Sequence, residues 1–262
     1  MAAGSVANLH IQERGAGPAV VCIHETATTG AVWDRLAAAL EPRARVIAYD
    51  RPGWGRSPAP EVYERTTVPE QAALAAAVIE DRDAAPAVAC GAGLGAVAAL
   101  ELVLRRPELI MGAVLVEPPL LAFLPEATDA LAESAALIRE AVAEGGRELA
   151  LERYLAGSVG ALAAGAERLP AAAGDRGPHA PASLFAEIAA VPAWSFVPTE
   201  LAAAGRPSVV VCGADTPPLV LDAARGLASA LGRSELREVG PGLPHHDEAT
   251  AVAEIVIEVA EA

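Results

Sequence analysis

The stretch "AVACGAGLGAVAALELVLRRPEL", residues 87–109, constrains this chain more than any other. A short apolar run meets a Gly-x-Gly-x-Gly turn and continues directly as an alanine- and leucine-rich helix. Three glycines at alternate positions let a strand reverse sharply and let the following helix pack closely upon it. The same rhythm extends to both sides. "VANLHIQERGAGPAVVCIHE" reads as two strands around a Gly-Ala-Gly-Pro turn, and residues 31–40 have helical period. "RARVIAYD" reads as a strand, "VPEQAALAAAVIED" as a helix with Pro69 in its first turn, and "IMGAVLVE" as a strand ending at Glu117. Short apolar strands alternating with helices of ten or more residues predict a mostly parallel sheet flanked by helices, an α/β fold.

The alternation stops at Pro118 and resumes with "RPSVVVCGAD". Between them lie helical stretches at 126–144, 146–156 and 183–190, interrupted by the Gly/Pro-rich connector "AAAGDRGPHAPAS". An insertion of this length between two sheet strands is most simply a helical cap. The expected division is a core of residues 1–117 and 206–262 with a cap over 118–205. The chain closes with a helix in "VLDAARGLASALG", a strand in "SELREVG" and a helix in "EATAVAEIVIEVAEA".

Charge narrows the partners. With 19 Lys and Arg against 34 Asp and Glu, the net charge is −15, which disfavours nucleic acid and anionic membranes. No apolar run has the length of a membrane span. Cys22, Cys90 and Cys212 each fall near the end of an apolar run, without metal or redox spacing. They read as core residues of a reducing cytoplasm, and neither a metal nor a cofactor is expected. "MAAGSVANLH" has no basic segment followed by an apolar one, so no signal peptide is expected. Homodimer assembly is left open.

Four segments, "VVCIHETATTGAVWDRLAAAL", "ARVIAYDRPGWGRS", "GAGLGAVAALELVLRRPEL" and "SVVVCGADTPPL", resemble the α/β-hydrolase fold, and together they cover nearly the whole chain. Asp50, Gly53, Gly55 and Ser57 match the family's Asp-x-x-Gly-x-Gly-x-Ser loop. The resemblance implies a Gly-x-Ser-x-Gly nucleophile turn between strand and helix. Aligned on "RRPE", that turn is Gly91-Ala92-Gly93-Leu94-Gly95, so Gly93 stands at the nucleophile's position. Glycine has no group to attack with, and no covalent intermediate can start there. Cys90 lies on the strand before the turn, where its sulfur faces the sheet. The same alignment places Gly242, in "GPGLPHHDEATAVAE", at the histidine base, with His245 three residues later; a shifted loop would let His245 or His246 reach the site. Asp215 matches the family's acid, and Glu117 matches a second place where some relatives, such as certain haloalkane dehalogenases, carry it. The usual His-Gly pair of the first loop is His24-Glu25 here. Backbone amides of Glu25 or Thr26 and of Leu94 still offer part of an oxyanion hole.

The resulting expectation is a small-molecule enzyme without a covalent nucleophile. Glu25, Glu117, Asp215, His245 and His24 would serve as acids and bases in lyase, cyclase, dehydratase or decarboxylase chemistry. The substrate would be a small apolar molecule in a pocket of Thr26, Leu120, Trp194 and Phe196. If Glu25 points inward, the site favours proton transfer or cation binding over acyl transfer. Two alternatives stand beside this: a ligand-binding protein without turnover, and an ester or lactone hydrolase using Ser57, Ser158 or Ser195. His24 as a structural residue of its loop, His245 and His246 as solvated residues capping the last helix, and Asp215 as a turn residue are the plainer readings of those side chains.

Overall fold

A computed structural model describes residues 6–169 and 175–262. Residues 171–174, the start of the Gly/Pro-rich connector, lie outside the described residues. Seven strands form one sheet: β1 (Ile11–Gly15), β2 (Ala19–Ile23), β3 (Arg45–Tyr49), β4 (Ala87–Ala92), β5 (Ile110–Val116), β6 (Ser208–Gly213) and β7 (Ser234–Val239). Their spatial order is β1-β3-β2-β4-β5-β6-β7. All neighbours are parallel except β1, which runs antiparallel to β3 with Ile11 opposite Tyr49. The two strands around the Gly-Ala-Gly-Pro turn are therefore not neighbours, because β3 lies between them.

Burial explains the strand compositions. Every residue of β2, β4 and β6 is buried, as expected for strands covered on both faces. The sheet edges, "IQERG" in β1 and "SELREV" in β7, carry the charged side chains, which discourage pairing with other strands. On one face, α2 (Val68–Asp81), α3 (Leu94–Arg105) and α7 (Pro218–Ala230) pack against Val21, Ile23, Ala89 and Leu115. On the other, α1 (Asp34–Leu40) and α9 (Ala249–Glu261) pack against Cys22, Cys90, Val114 and Val211. Helix α2 begins where expected, with a capping box formed by Thr67 and Glu70.

The insert between β5 and β6 is helical. It contains α4 (Ala127–Leu155), α5 (Ala180–Glu187) and α6 (Pro198–Ala203), with short 3-10 turns at Leu121–Phe123, Gly160–Ala163 and Ala166–Arg168. The two helices expected at 126–144 and 146–156 form α4, kinked at Gly145 and Gly146, whose backbone leaves helical geometry. Helix α5 starts three residues before the expected segment, and α6 lay outside the sequence pattern.

The strand order reverses between β2 and β4. Successive connections run outward in one direction from β2 and in the other from β4, so the loops leaving these adjacent strands diverge and leave a crevice at their carboxyl ends. The loop after β2 carries Glu25 and the turn after β4 carries Gly93. The sheet topology thus makes neighbours of two residues that lie 68 positions apart in the chain.

Candidate active site

The β4–α3 turn keeps the sharp geometry of a nucleophile turn without the nucleophile. Gly93 has φ 55° and ψ −121° and caps α3, a conformation in which side chains are strained. The close approach is equally tight at Gly95, where a Cβ would lie 2.1 Å from the carbonyl oxygen of Ile23. At Gly93 the obstacle is a side chain: an added Cβ would lie 2.7 Å from Glu25 Cβ and 3.8 Å from Glu25 Oε2. The Glu25 Cβ occupies space that a residue 93 Cβ would need.

Glu25 points inward and lines a cavity beneath the insert. Its Oε1 is 3.3 Å from His245 Nε2, though the contact lacks hydrogen-bond alignment. His245 is 1% exposed and lies against Trp33, with ring centroids 4.5 Å apart. The short helix α8 (Pro244–Asp247) carries it beneath the site. His246 turns outward toward Asp247, 2.9 Å away. The two adjacent histidines have separate fates: one is buried against a carboxylate, and the other is paired near the surface.

The expected acids are held by an arginine from the insert. Arg168 pairs with Glu117 through Nη2–Oε2 at 2.7 Å and Nη1–Oε1 at 3.1 Å. It also donates to the carbonyl of Gly242 at 3.2 Å and approaches Asp215 to 3.6 Å. Thr216 and the amide of Gly213 complete the shell of Glu117. Burial opposes the charge on Arg168, but the pairing with Glu117 holds its pKa above the ordinary arginine value. Asp215 accepts from the amide of Gly242 at 2.8 Å and is otherwise half exposed. Its partner is therefore the backbone of the loop that the family alignment reserves for the base.

His24 is not placed for catalysis. It is fully buried; Nε2 accepts from the Arg51 amide at 2.9 Å, and Nδ1 lies 2.8 Å from the Glu25 carbonyl. That pattern assigns a neutral ring with its proton on Nδ1. Burial, followed by the charge of Arg51, pushes its pKa well below the usual histidine value. The candidate acid–base role for His24 is corrected to a structural one: both nitrogens brace the loop that aims Glu25.

A second buried carboxylate closes this region. Glu187, at the end of α5, accepts from both Nη atoms of Arg51 (2.5 and 2.9 Å), from Trp54 Nε1 (2.7 Å) and from Thr26 Oγ1 (3.0 Å). The Arg51–Glu187 pair is wholly buried and ties the insert to the loop after β3. The sequence reading missed Arg168, Glu187 and Tyr154. Their segments have ordinary helical patterns, and nothing local signals which sheet edge they reach.

The cavity lies between this polar floor and an aliphatic roof. Glu25, Thr26, Gly93, Glu117, Arg168 and Glu187 form the floor, and Leu121, Leu131, Leu162, Leu169, Ile188 and Val191 contribute to the roof. It offers about 100 Å³ to the centre of a water-sized sphere, several water volumes on the scale of about 10–15 Å³ for one. Tyr154 stands at the same wall; burial, then the charges of Glu25 and Glu187, push its phenol pKa up. Leu94 opens α3 beside the cavity, and its amide is one of the helix's free N-terminal donors.

Leu120, Trp194 and Phe196, expected at the pocket wall, lie elsewhere. Trp194 donates to the buried Glu101 at 3.0 Å and stacks on Phe196, which meets Phe123; Leu120 joins the same core. The serines of the hydrolase alternative are also remote from the lining. Ser57 is buried between the His10 amide and the Asp50 carbonyl, while Ser158 and Ser195 are exposed. Among the described residues no serine or cysteine lines the cavity. Cys22 and Cys90 face each other across β2 and β4 inside the core. Among the described residues no group of three or more His, Cys, Asp or Glu is arranged to hold a metal ion. No helix of these residues is long and apolar enough to cross a membrane.

Comparison with known proteins places this geometry in context. Residues 20–255 match the family described as "Alpha/beta hydrolase family". A pimeloyl-[acyl-carrier protein] methyl ester esterase of Nitrosomonas europaea is 33% identical over 111 residues, which are 42% of this chain and 41% of that protein. A putative non-heme bromoperoxidase of Mycobacterium tuberculosis is 37% identical over 110 residues, 41% of each chain. The matches therefore span about two-fifths of these curated relatives. Among solved structures, an esterase from Thermogutta terrifontis superposes with a TM-score of 0.74 at 18% identity, covering 95% of this chain and 92% of its own. A hydrolase from Sphaerobacter thermophilus gives 0.73 at 23% identity, covering 96% and 95%. At such identities the superpositions speak for the fold alone.

Proposed function

The chain belongs to the alpha/beta hydrolase family, and from its altered site we propose that it is a non-covalent acid–base enzyme acting on a small, largely apolar molecule. One observation carries this reading: the Glu25 side chain fills the space beside Gly93, with its Cβ 2.7 Å and its Oε2 3.8 Å from where a residue 93 Cβ would lie, and its Oε1 has His245 Nε2 at 3.3 Å. In this reading Glu25 is the catalytic residue. It takes a proton from the bound molecule, or returns one, while the aliphatic roof excludes water. His245 is a positioning residue, buried against Trp33 and set against the carboxylate from below. Acyl transfer is disfavoured on electrostatic grounds, because a carboxylate beside Gly93 opposes the negative charge that would develop on a carbonyl oxygen. Lyase, cyclase, dehydratase and decarboxylase reactions all use proton transfer of this kind. A cytoplasmic setting accords with three free cysteines.

The test is solvent exchange. Small carbonyl compounds and amines are incubated with the protein in D₂O, and deuterium incorporation or new product is followed by NMR. Wild type is expected to convert at least one class, with Glu25→Gln slower by about 10²-fold or more. Conversion unchanged in Glu25→Gln would remove Glu25 from the chemistry. The aliphatic roof favours a second reading, a binding protein without turnover; ligand retention by both variants with no exchange in either would select it.

A further inference from the structure

The cavity contains three carboxylates, of which two are satisfied. Glu187 accepts four hydrogen bonds, including two from Arg51. Glu117 is held by Arg168, Thr216 and the Gly213 amide. The Glu25 carboxylate accepts no hydrogen bond among the described residues, and its Oε1 is buried 3.3 Å from His245 Nε2 without hydrogen-bond alignment. Its nearest positive candidate, His245, is 1% exposed, and neither ring nitrogen makes a hydrogen bond. The surroundings offer little else. From the insert, the two Nη atoms of Arg168 are committed to Glu117 while its Nε is buried without a hydrogen-bond partner, and Tyr154 stays neutral because its phenol pKa is raised. From the loop after β3, Arg51 is committed to Glu187.

A carboxylate left without a donor in a desolvated cavity is costly, and a ligand that brings a charged donor removes that cost. The aliphatic part of the lining, Leu121, Leu131, Leu162, Leu169, Ile188 and Val191, suits a hydrocarbon body. We infer that this site takes a small aliphatic amine in its protonated form, with the ammonium against Glu25 and the alkyl portion under the insert. The inference rests on the acid–base reading of the same cavity and specifies its substrate class: the proton that Glu25 accepts and returns is one carried by the ammonium nitrogen. In that exchange the carboxylate gains the proton and the amine loses it, so the step balances without another reactant.

Calorimetry with matched six-carbon probes tests this: hexylamine, hexanol and hexanoate, each titrated at pH 7.5 into wild type and Glu25→Gln. The amine is expected to bind at least tenfold more tightly than the alcohol, with hexanoate weakest. Glu25→Gln should lose that tenfold preference while still binding the alcohol. An amine preference that survives Glu25→Gln, hexanoate binding as tightly as the amine, or no binding of any probe at millimolar concentration would overturn the inference. A thermal melt of Glu25→Gln confirms that the variant is folded. The two readings fail separately. Amine selectivity without exchange in D₂O leaves the cation site and removes the enzyme. Glu25-dependent turnover of neutral molecules without amine selectivity does the reverse.

Discussion

Gly93 and Glu25 meet where the turn after β4 faces the loop after β2. The turn keeps a positive φ that only glycine adopts without strain, and the freed space is filled from the neighbouring loop. Gly93→Ser should therefore lower stability by about 1–3 kcal/mol through backbone strain alone, with the Glu25 Cβ contact adding to it. The added part depends on one atom. Adding Glu25→Gly should recover it, whereas Glu25→Ala, which keeps the Cβ, should not; thermal denaturation of the three variants reads the difference. His24 gives a pH signature. Its folded-state pKa is depressed by burial, so the unfolded chain binds a proton below about pH 6.5 that the native protein refuses. Stability from this residue is complete above that pH and is lost as pH falls below it. Melts between pH 7.5 and 5 should show a drop that His24→Asn diminishes; an identical slope in both would contradict the assignment. Gly93 was singled out in the sequence, because one motif frames it. The direction of Glu25 was not legible there, because the course of the loop after β2 sets it and no local pattern records that course.

At the scale of elements, the Arg51–Glu187 and Arg168–Glu117 pairs join the helical insert to loops at the sheet edge. The Arg51–Glu187 pair is fully buried, and removing one partner leaves an unpaired charge. Glu187→Ala should cost about 3–5 kcal/mol, read by denaturant unfolding. The Arg168–Glu117 pair is partly exposed, so Arg168→Ala should cost less than Glu187→Ala in the same unfolding assay. It should also speed hydrogen exchange around Gly160–Arg168, because that segment loses its anchor to Glu117 and Gly242; unchanged exchange would mean that packing alone holds it. Helix and strand positions were largely readable, as in Val68–Asp81, where periodicity, Pro69 and the Thr67 cap agree. The insert was readable as helix but not as architecture. Amphipathic pattern shows that a face is buried without showing against what, which is why Arg168 and Glu187 were missed while Trp194 and Phe196, core residues in fact, were expected at the pocket.

For the whole molecule, the parallel sheet and its strand reversal decide where chemistry can occur. Loops after β2, β4, β5 and β6 converge at one edge and bring Glu25, Gly93, Glu117 and Asp215 together from four separate segments. That convergence followed from the alternating strands and helices. The antiparallel placement of β1 did not, because pairing partners across a crossover leave no local mark. The proposed function excludes covalent catalysis at this cavity, whose lining among the described residues holds no serine or cysteine. Intact-mass spectrometry after exposure to a fluorophosphonate, a reagent for activated serines, tests that claim most directly. An unmodified mass is the predicted result; a stoichiometric adduct mapping to a serine would contradict the account.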